Sequence, residues 1–275
     1  MRDTAFDPDF DDRELTPDWM AVPIAPVPVM EHPSGYRVVR RIVQETEIFG
    51  QSYRLTVPFE CRLLFDPAGR LWMSDTPQER IMMANNARRS HGHVLVGGLG
   101  LGLYPQLAAT LGRVTRFSVI EQSPVVQEIV EPALAGVLGV PLATQIGDVG
   151  ALLAGPMGDV YDTIFLDTWP ALDAAYLPAV NRLRELARAH LVPGGTILLW
   201  GYRWMVALFE EACRALLAVD PGERRAWLDA HRAGSPAGVA LLGPVADRFA
   251  GAAIDDWDAA LAWCRAYAVD VVAAG

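Results

Sequence analysis

The feature that most constrains this 275-residue chain is a strand that runs into a cluster of glycines and leaves as a helix. It reads Val94-Leu95-Val96-Gly97-Gly98-Leu99-Gly100-Leu101-Gly102, followed by LYPQLAATLG. Closely spaced glycines let a ligand come up to bare main chain, and the helix N-terminus behind them adds unpaired N–H groups and a partial positive charge. The spacing narrows the ligand. A dinucleotide fingerprint requires G-x-G-x-x-G, and counted from Gly98 the sixth place is Leu103. The pattern that Gly98, Gly100 and Gly102 do make is G-x-G-x-G. The stretch His93 to Leu111 is apolar enough to suggest a membrane span, but its glycines and Pro105 read better as strand, turn and helix.

From His93 onward, strand and helix alternate. HVLVG, TRFSVIE, LATQIGD, YDTIFLD and PGGTILLW are apolar strands. Between and after them SPVVQEIVEPALAG, VGALLAG, LPAVNRLRELARAH and RWMVALFEEACRALLAV are helical. Strands that are apolar almost throughout, separated by amphipathic helices, predict an α/β fold: a Rossmann-like parallel sheet with helices on both faces. After about Val219 the pattern weakens to a helix around GERRAWLDAHR, a short apolar run GVALLG and a helix from Asp255 to Tyr267.

Three acids stand where strands end: Glu121 after the second, Asp148 after the third and Asp167 after the fourth. The carboxyl ends of parallel strands share one edge, so these acids and the glycine loop are expected to border a single crevice. An acid behind the second strand is placed to accept hydrogen bonds from ribose hydroxyls. Aspartate after a strand also serves as a helix N-cap, which is the plainer role for any one of them.

The chain before this domain divides in two. Residues 1–35 are acidic, then proline-rich (AVPIAPVPVMEHP), and form either a disordered tail or an arm packed across another surface. Residues 36–90 predict a small antiparallel β unit, with a turn at Asp66-Pro67-Ala68-Gly69, and a connecting helix. That helix opens on Thr76 as N-cap, Pro77 at the first position and Glu79 at the third, the arrangement of a capping box. Residues 91–275 then form the Rossmann-like domain with a helical C-terminal part.

Composition removes several functions. All 23 basic residues are arginine, so no lysine Schiff base, pyridoxal phosphate anchor or P-loop lysine exists. A net charge of −10 argues against a broad nucleic-acid footprint, which would need a basic face, so no nucleic-acid partner is expected. Cys61, Cys213 and Cys264 lie far apart, and His91 and His93 have no acidic or cysteine companion nearby, so no metal site is expected. The odd cysteine count and an acidic start without a signal-peptide core predict a cytoplasmic protein that does not associate with membranes.

Taken in order, VLVGGLGLG, SVIEQSPVV, QIGD, YDTIFLDTWP and LVPGGTILL resemble a class I S-adenosylmethionine-dependent methyltransferase. With a small β unit in front, the chain resembles most closely the spermidine-synthase-like branch. The resemblance covers roughly residues 36–200 and implies a seven-strand sheet whose last strand pair is not evident here. It implies S-adenosyl-L-methionine as cofactor, with Gly98, Gly100 and Gly102 under its methionyl and ribose part. Glu121, with Gln122 beside it, would bind the ribose hydroxyls. Asp148 would meet the adenine amino group, with Ile146 and Gly147 beside the ring. Asp167 would stand at the mouth of the donor–acceptor pocket as the catalytic acid or base.

The departures bear on the reaction. The loop reads GGLGLG where spermidine synthases carry an acid, as in GGGDGG, and Asp167-Thr168-Trp169-Pro170 lacks the second aspartate of a D-S-S-D-P-like motif. A diamine calls for several carboxylates, so methyl transfer to a small molecule or peptide is the expected activity. Aminopropyl transfer from decarboxylated cofactor is one alternative, and a non-catalytic cofactor-binding subunit is the other. Asp75, Gln78, Trp169 and Tyr202 are the expected acceptor-binding residues, and a homodimer is a possible assembly.

Overall fold

The structure is a computed structural model that describes residues 5–16, 20–156, 158–232 and 236–271, the side chains of residues 236 and 237 excepted. The chain divides into two compact units. The first comprises residues 1–170 and 186–200, the second residues 171–185 and 201–275.

The first unit begins with an arm, not a free tail. The Ala5 carbonyl accepts the Ile197 N–H at 2.7 Å, Phe6 is buried, and the Arg89 guanidinium lies 4.1 Å from the centre of the Phe10 ring. An antiparallel sheet follows, in the order β1 (Met30–Glu31), β2 (Arg37–Ile48), β3 (Gln51–Phe65), β4 (Leu71–Ser74). β2 and β3 form one long hairpin with Ile48 opposite Gln51. Its two-residue turn, Phe49-Gly50, takes left-handed angles of +51° and +77°. Such turns match the twist of the flanking strands but favour Asn or Gly at the first place, so sequence pattern does not announce this one. Ile48, Phe59 and Cys61 pack on Ile81 of α1 (Pro77–Arg89) to give the β unit its own small core.

The parallel sheet is assembled from β5 (His91–Gly97), β6 (Arg113–Glu121), β7 (Leu142–Ile146), β8 (Tyr161–Leu166) and β9 (Leu191–Leu199). Helices α2 (Leu103–Leu111), α3 (Pro124–Leu134) and α4 (Val149–Leu153) lie between the first four of these, and α5 (Leu177–Arg188) precedes β9. The strand order is β7-β6-β5-β8-β9, all parallel. β5 is the middle strand, which is why Val94, Leu95 and Val96 are apolar on both faces and fully buried. The chain builds outward from β5 in one direction, then returns to β8 on its other side. That reversal is the topological switch point at which open α/β sheets bind ligands.

The expected seven-strand sheet is corrected here: among the described residues the parallel sheet has five strands, and none follows β9. The second unit is helical, with most of α5, then α6 (Tyr202–Leu217), α7 (Arg224–His231), α8 (Pro236–Arg248) and α9 (Trp257–Asp270). The apolar run GVALLG, short enough for strand or helix, lies inside α8. Arg224 ties this unit together. It is 2% exposed, and its guanidinium donates to the carbonyls of Leu217, Val219, Phe249 and Ala252 at 2.7–3.1 Å. No helix among the described residues is long and apolar enough to cross a membrane.

Candidate functional site

Four backbone hydrogen bonds carry the sheet one residue beyond its strands and fix the order of groups along its carboxyl edge. Gly147 donates to the Glu121 carbonyl at 3.0 Å, and Gly98 to that of Ile120 at 2.9 Å. Asp167 donates to Gly97 at 3.0 Å, and Trp200 to Leu166 at 3.1 Å. Read across the edge, the row is Gly147 with Asp148, Glu121, the glycine loop, Asp167, then Trp200. The acids that the sequence places at strand ends are thereby brought side by side.

The loop itself is built by close approach. A side chain at Gly98, where φ is +92°, would collide with the Asp167 carbonyl oxygen. Gly102 caps α2 at φ +70°, and a methyl group there would meet Leu134 Cδ2 of α3 at 2.8 Å. Glycine at both places satisfies the fold as well as any ligand. Met73 of β4 lies over Gly100.

Glu121 is 5% exposed, and both its oxygens are engaged: Oε2 accepts the Leu99 N–H and Oε1 the Ser123 N–H, each at 2.8 Å. The carboxylate therefore braces the glycine loop against the start of α3, a role that the sequence does not suggest. Each oxygen keeps a second lone pair for a ligand hydroxyl. Gln122 is exposed beside it. Asp148 is exposed and caps α4, accepting the Ala151 N–H at 2.8 Å. Ile146, a large apolar residue, is 43% exposed at the end of β7.

Asp167 is partly buried, and no described residue donates a hydrogen bond to its carboxylate. Its pKa is pushed up to about 7, first by desolvation and then by the neighbouring charges of Asp12 and Glu121. Glu79 stands well above the usual carboxylate range for the same reasons, with burial first and Asp167 and Asp12 next, while the Trp200 indole opposes the rise. The Thr76 hydroxyl accepts the Glu79 N–H at 3.5 Å, which is one half of the capping box. The other half is absent, because the Glu79 side chain is turned inward among the acids. Asp12 comes from the arm, is 2% exposed and accepts from Asn86 Nδ2 of α1 at 2.9 Å. Its place at the site was not legible, since the contact spans 74 residues.

The expected acceptor residues are distributed less closely. Asp75 is held by both oxygens to Arg80, at 2.6 and 2.9 Å, so its carboxylate already has a counter-ion. The Gln78 side-chain oxygen accepts the Phe49 N–H at 3.0 Å and supports the hairpin turn. Trp169 is buried at the edge, with its ring 6.4 Å from that of Trp200. Tyr202 is buried in the second unit, where its hydroxyl donates to Asn181 Oδ1 at 2.7 Å and accepts from Arg184 at 3.3 Å.

No protein-family model and no curated protein matches the chain. Similar solved structures include the S-adenosylmethionine-bound amino pentose methyltransferase CalS10 of Micromonospora echinaspora, 23% identical over 42% of this chain and 45% of that one, at a TM-score of 0.31. A methyltransferase of Clostridium acetobutylicum is 13% identical over 41% and 44% of the two chains, with a TM-score of 0.32. The CcbJ methyltransferase of Streptomyces caelestis is 21% identical over 38% and 41%, with a TM-score of 0.31. The matched region is less than half the length of each of these chains. Likeness at this level carries no conclusion about activity.

Proposed function

We propose that the chain binds S-adenosylmethionine along the carboxyl edge of the parallel sheet and transfers its methyl group to a small-molecule or peptide acceptor. The observation that carries this reading is the row itself, with its glycine loop at the switch point, a carboxylate beside it on one side and Asp167 on the other. Glu121 accepts the ribose hydroxyls on its remaining lone pairs. Exposed Ile146 offers an apolar face for the adenine, and Asp148, on the rim, accepts from its amino group. The loop spacing disfavours a dinucleotide. Met73, unbranched and flexible, is the side chain that must move off Gly100.

When bound, the cofactor supplies a methyl group already activated on a sulfonium. The protein's part is to align the acceptor, exclude water and take its proton. Asp167 suits the last task, because a base with a pKa near the working pH is the most effective one. Incubation with methyl-labelled cofactor and small-molecule extracts, followed by mass spectrometry, tests the reading. Label appearing in a product supports it, and cofactor binding without any labelled product would reduce the protein to a binding subunit.

A further inference from the structure

Residues 22–28 of the N-terminal arm lie against the outer half of the glycine loop. Pro23, Pro26 and Pro28 leave this stretch few backbone N–H groups and little freedom to lose on docking, so a few bonds suffice to fasten it. One side chain makes most of them. Gln106, 6% exposed and in the first turn of α2, accepts the Ala25 N–H on Oε1 at 2.7 Å. Its Nε2 donates to the Ala25 carbonyl at 3.3 Å and to the Gly102 carbonyl at 3.2 Å. A single amide thus grips the arm and the last glycine of the loop together. Arg62 of β3 supplies a second fastening, its Nε donating to the Val27 carbonyl at 3.0 Å.

The strap covers the loop but does not pack on it closely. Val22 and Val27 are buried, and so are Gly100, Leu101, Gly102 and Leu103 beneath them. Between Ile24–Val27 on one side and Leu101 and Leu103 on the other a cavity of about 10 Å³ remains, room for one water at most. Side chains that line a void lose the contacts a close-packed core would give them. A segment with few such contacts opens at lower cost than the fold as a whole. β4 is tied to the same anchor. Asp75 donates its N–H to the Arg62 carbonyl at 2.9 Å, and Met73, two residues earlier, lies over Gly100.

We infer that residues 22–28 are a gate over the glycine loop, latched by Gln106. Released from Gln106, the arm lifts off Leu101 and Leu103 and uncovers the main chain that the ligand must reach. Gln106 is a positioning residue, acting on the loop through the arm. The gate stands on the contacts between arm and loop, whereas what it admits rests on the methyl-donor reading of the sheet edge.

Hydrogen exchange read by mass spectrometry on full-length, ligand-free protein tests the gate. Gln106→Leu keeps the bulk of the side chain and removes its amide. Exchange in residues 22–28 and in residues 100–103 should then rise together by about ten- to a hundredfold, with β6 and β8 exchanging as in wild type. Gln106→Glu still accepts the Ala25 N–H but donates to neither carbonyl, and should fall between the two. Ala25→Pro removes the same N–H from the arm side, and should repeat the effect if a Gln106 variant fails to fold. In both Gln106→Leu and Ala25→Pro, stopped-flow tryptophan fluorescence should show S-adenosylhomocysteine associating about three- to tenfold faster. Faster exchange in the arm alone would mean that the arm does not cover the loop, and unchanged exchange in both would mean that Gln106 is no latch. A rise that includes β6 and β8, or association no faster than in wild type, would also overturn the inference. Absence of S-adenosylhomocysteine binding would instead remove the methyl-donor reading, because exchange decides the gate without any ligand.

Discussion

Replacing Glu121 should loosen the protein before any ligand is added. Its two oxygens hold the N–H groups of Leu99 and Ser123, both at 2.8 Å, from a position that is 95% buried. Hydrogen bonds to a charged group contribute about 1.5–3 kcal/mol each. Glu121→Ala removes two of them and leaves the Leu99 N–H buried, so a loss of roughly 3–6 kcal/mol is expected. For a unit of this size that corresponds to a fall in melting temperature on the order of 10 °C. Glu121→Gln presents one oxygen and one NH2 group to two donors, so it should recover about half of the loss. Thermal and urea melts of cofactor-free protein measure the effect. Calorimetry on the folded variant should also show S-adenosylhomocysteine binding weakened by about ten- to a hundredfold, as the ribose loses its acceptor and the loop its brace. An Ala variant that melts within a degree of wild type would refute the brace, and unchanged affinity would refute the ribose contact.

Other outcomes follow from single residues. Asp167→Asn should reduce turnover by about 10²- to 10⁴-fold with cofactor affinity nearly unchanged, measured with the true acceptor. The same variant should change pH dependence. A raised carboxyl pKa keeps a proton on the native state that the unfolded state has lost, so wild-type stability from this group falls as pH rises from about 4 to 7. Melts at pH 5 and pH 8 should therefore show Asn gaining on Asp at the higher pH, and a constant difference would contradict the shift. Arg224→Met leaves four carbonyls of the second unit without their donor and should cost about 3–5 kcal/mol, with Arg224→Lys intermediate, by urea melts. Gly102→Ala should cost about 2–4 kcal/mol, from left-handed strain and the contact with Leu134, and a neutral result would mean that α3 yields easily.

Much of the parallel sheet is legible because each strand is a continuous apolar run bounded by turn residues. The cap at Thr76 is legible for a similar reason, since it depends on residues three apart. What the sequence hides is non-local or indifferent to pattern. Phe49 takes a left-handed turn that its residue type disfavours, with Gln78 binding its N–H from 29 residues away. Asp12 is held by Asn86 from 74 residues away, a contact that no local pattern announces. Glu79 satisfies a capping-box pattern, yet burial among acids places its side chain elsewhere. At Glu121 the sequence position marks a ligand-facing acid, whereas the geometry shows that the same carboxylate first organises the loop. The last strand pair is not evident in the sequence, and GVALLG, six residues long, favours neither period by itself; it lies inside α8.

The central claim is that the glycine loop and Glu121 serve an S-adenosyl ligand, and titration calorimetry tests it most directly. S-adenosylhomocysteine and NAD are each titrated into full-length wild-type protein under the same conditions. The account predicts one-site binding of S-adenosylhomocysteine and no heat from NAD. Binding of NAD with none of S-adenosylhomocysteine would contradict it.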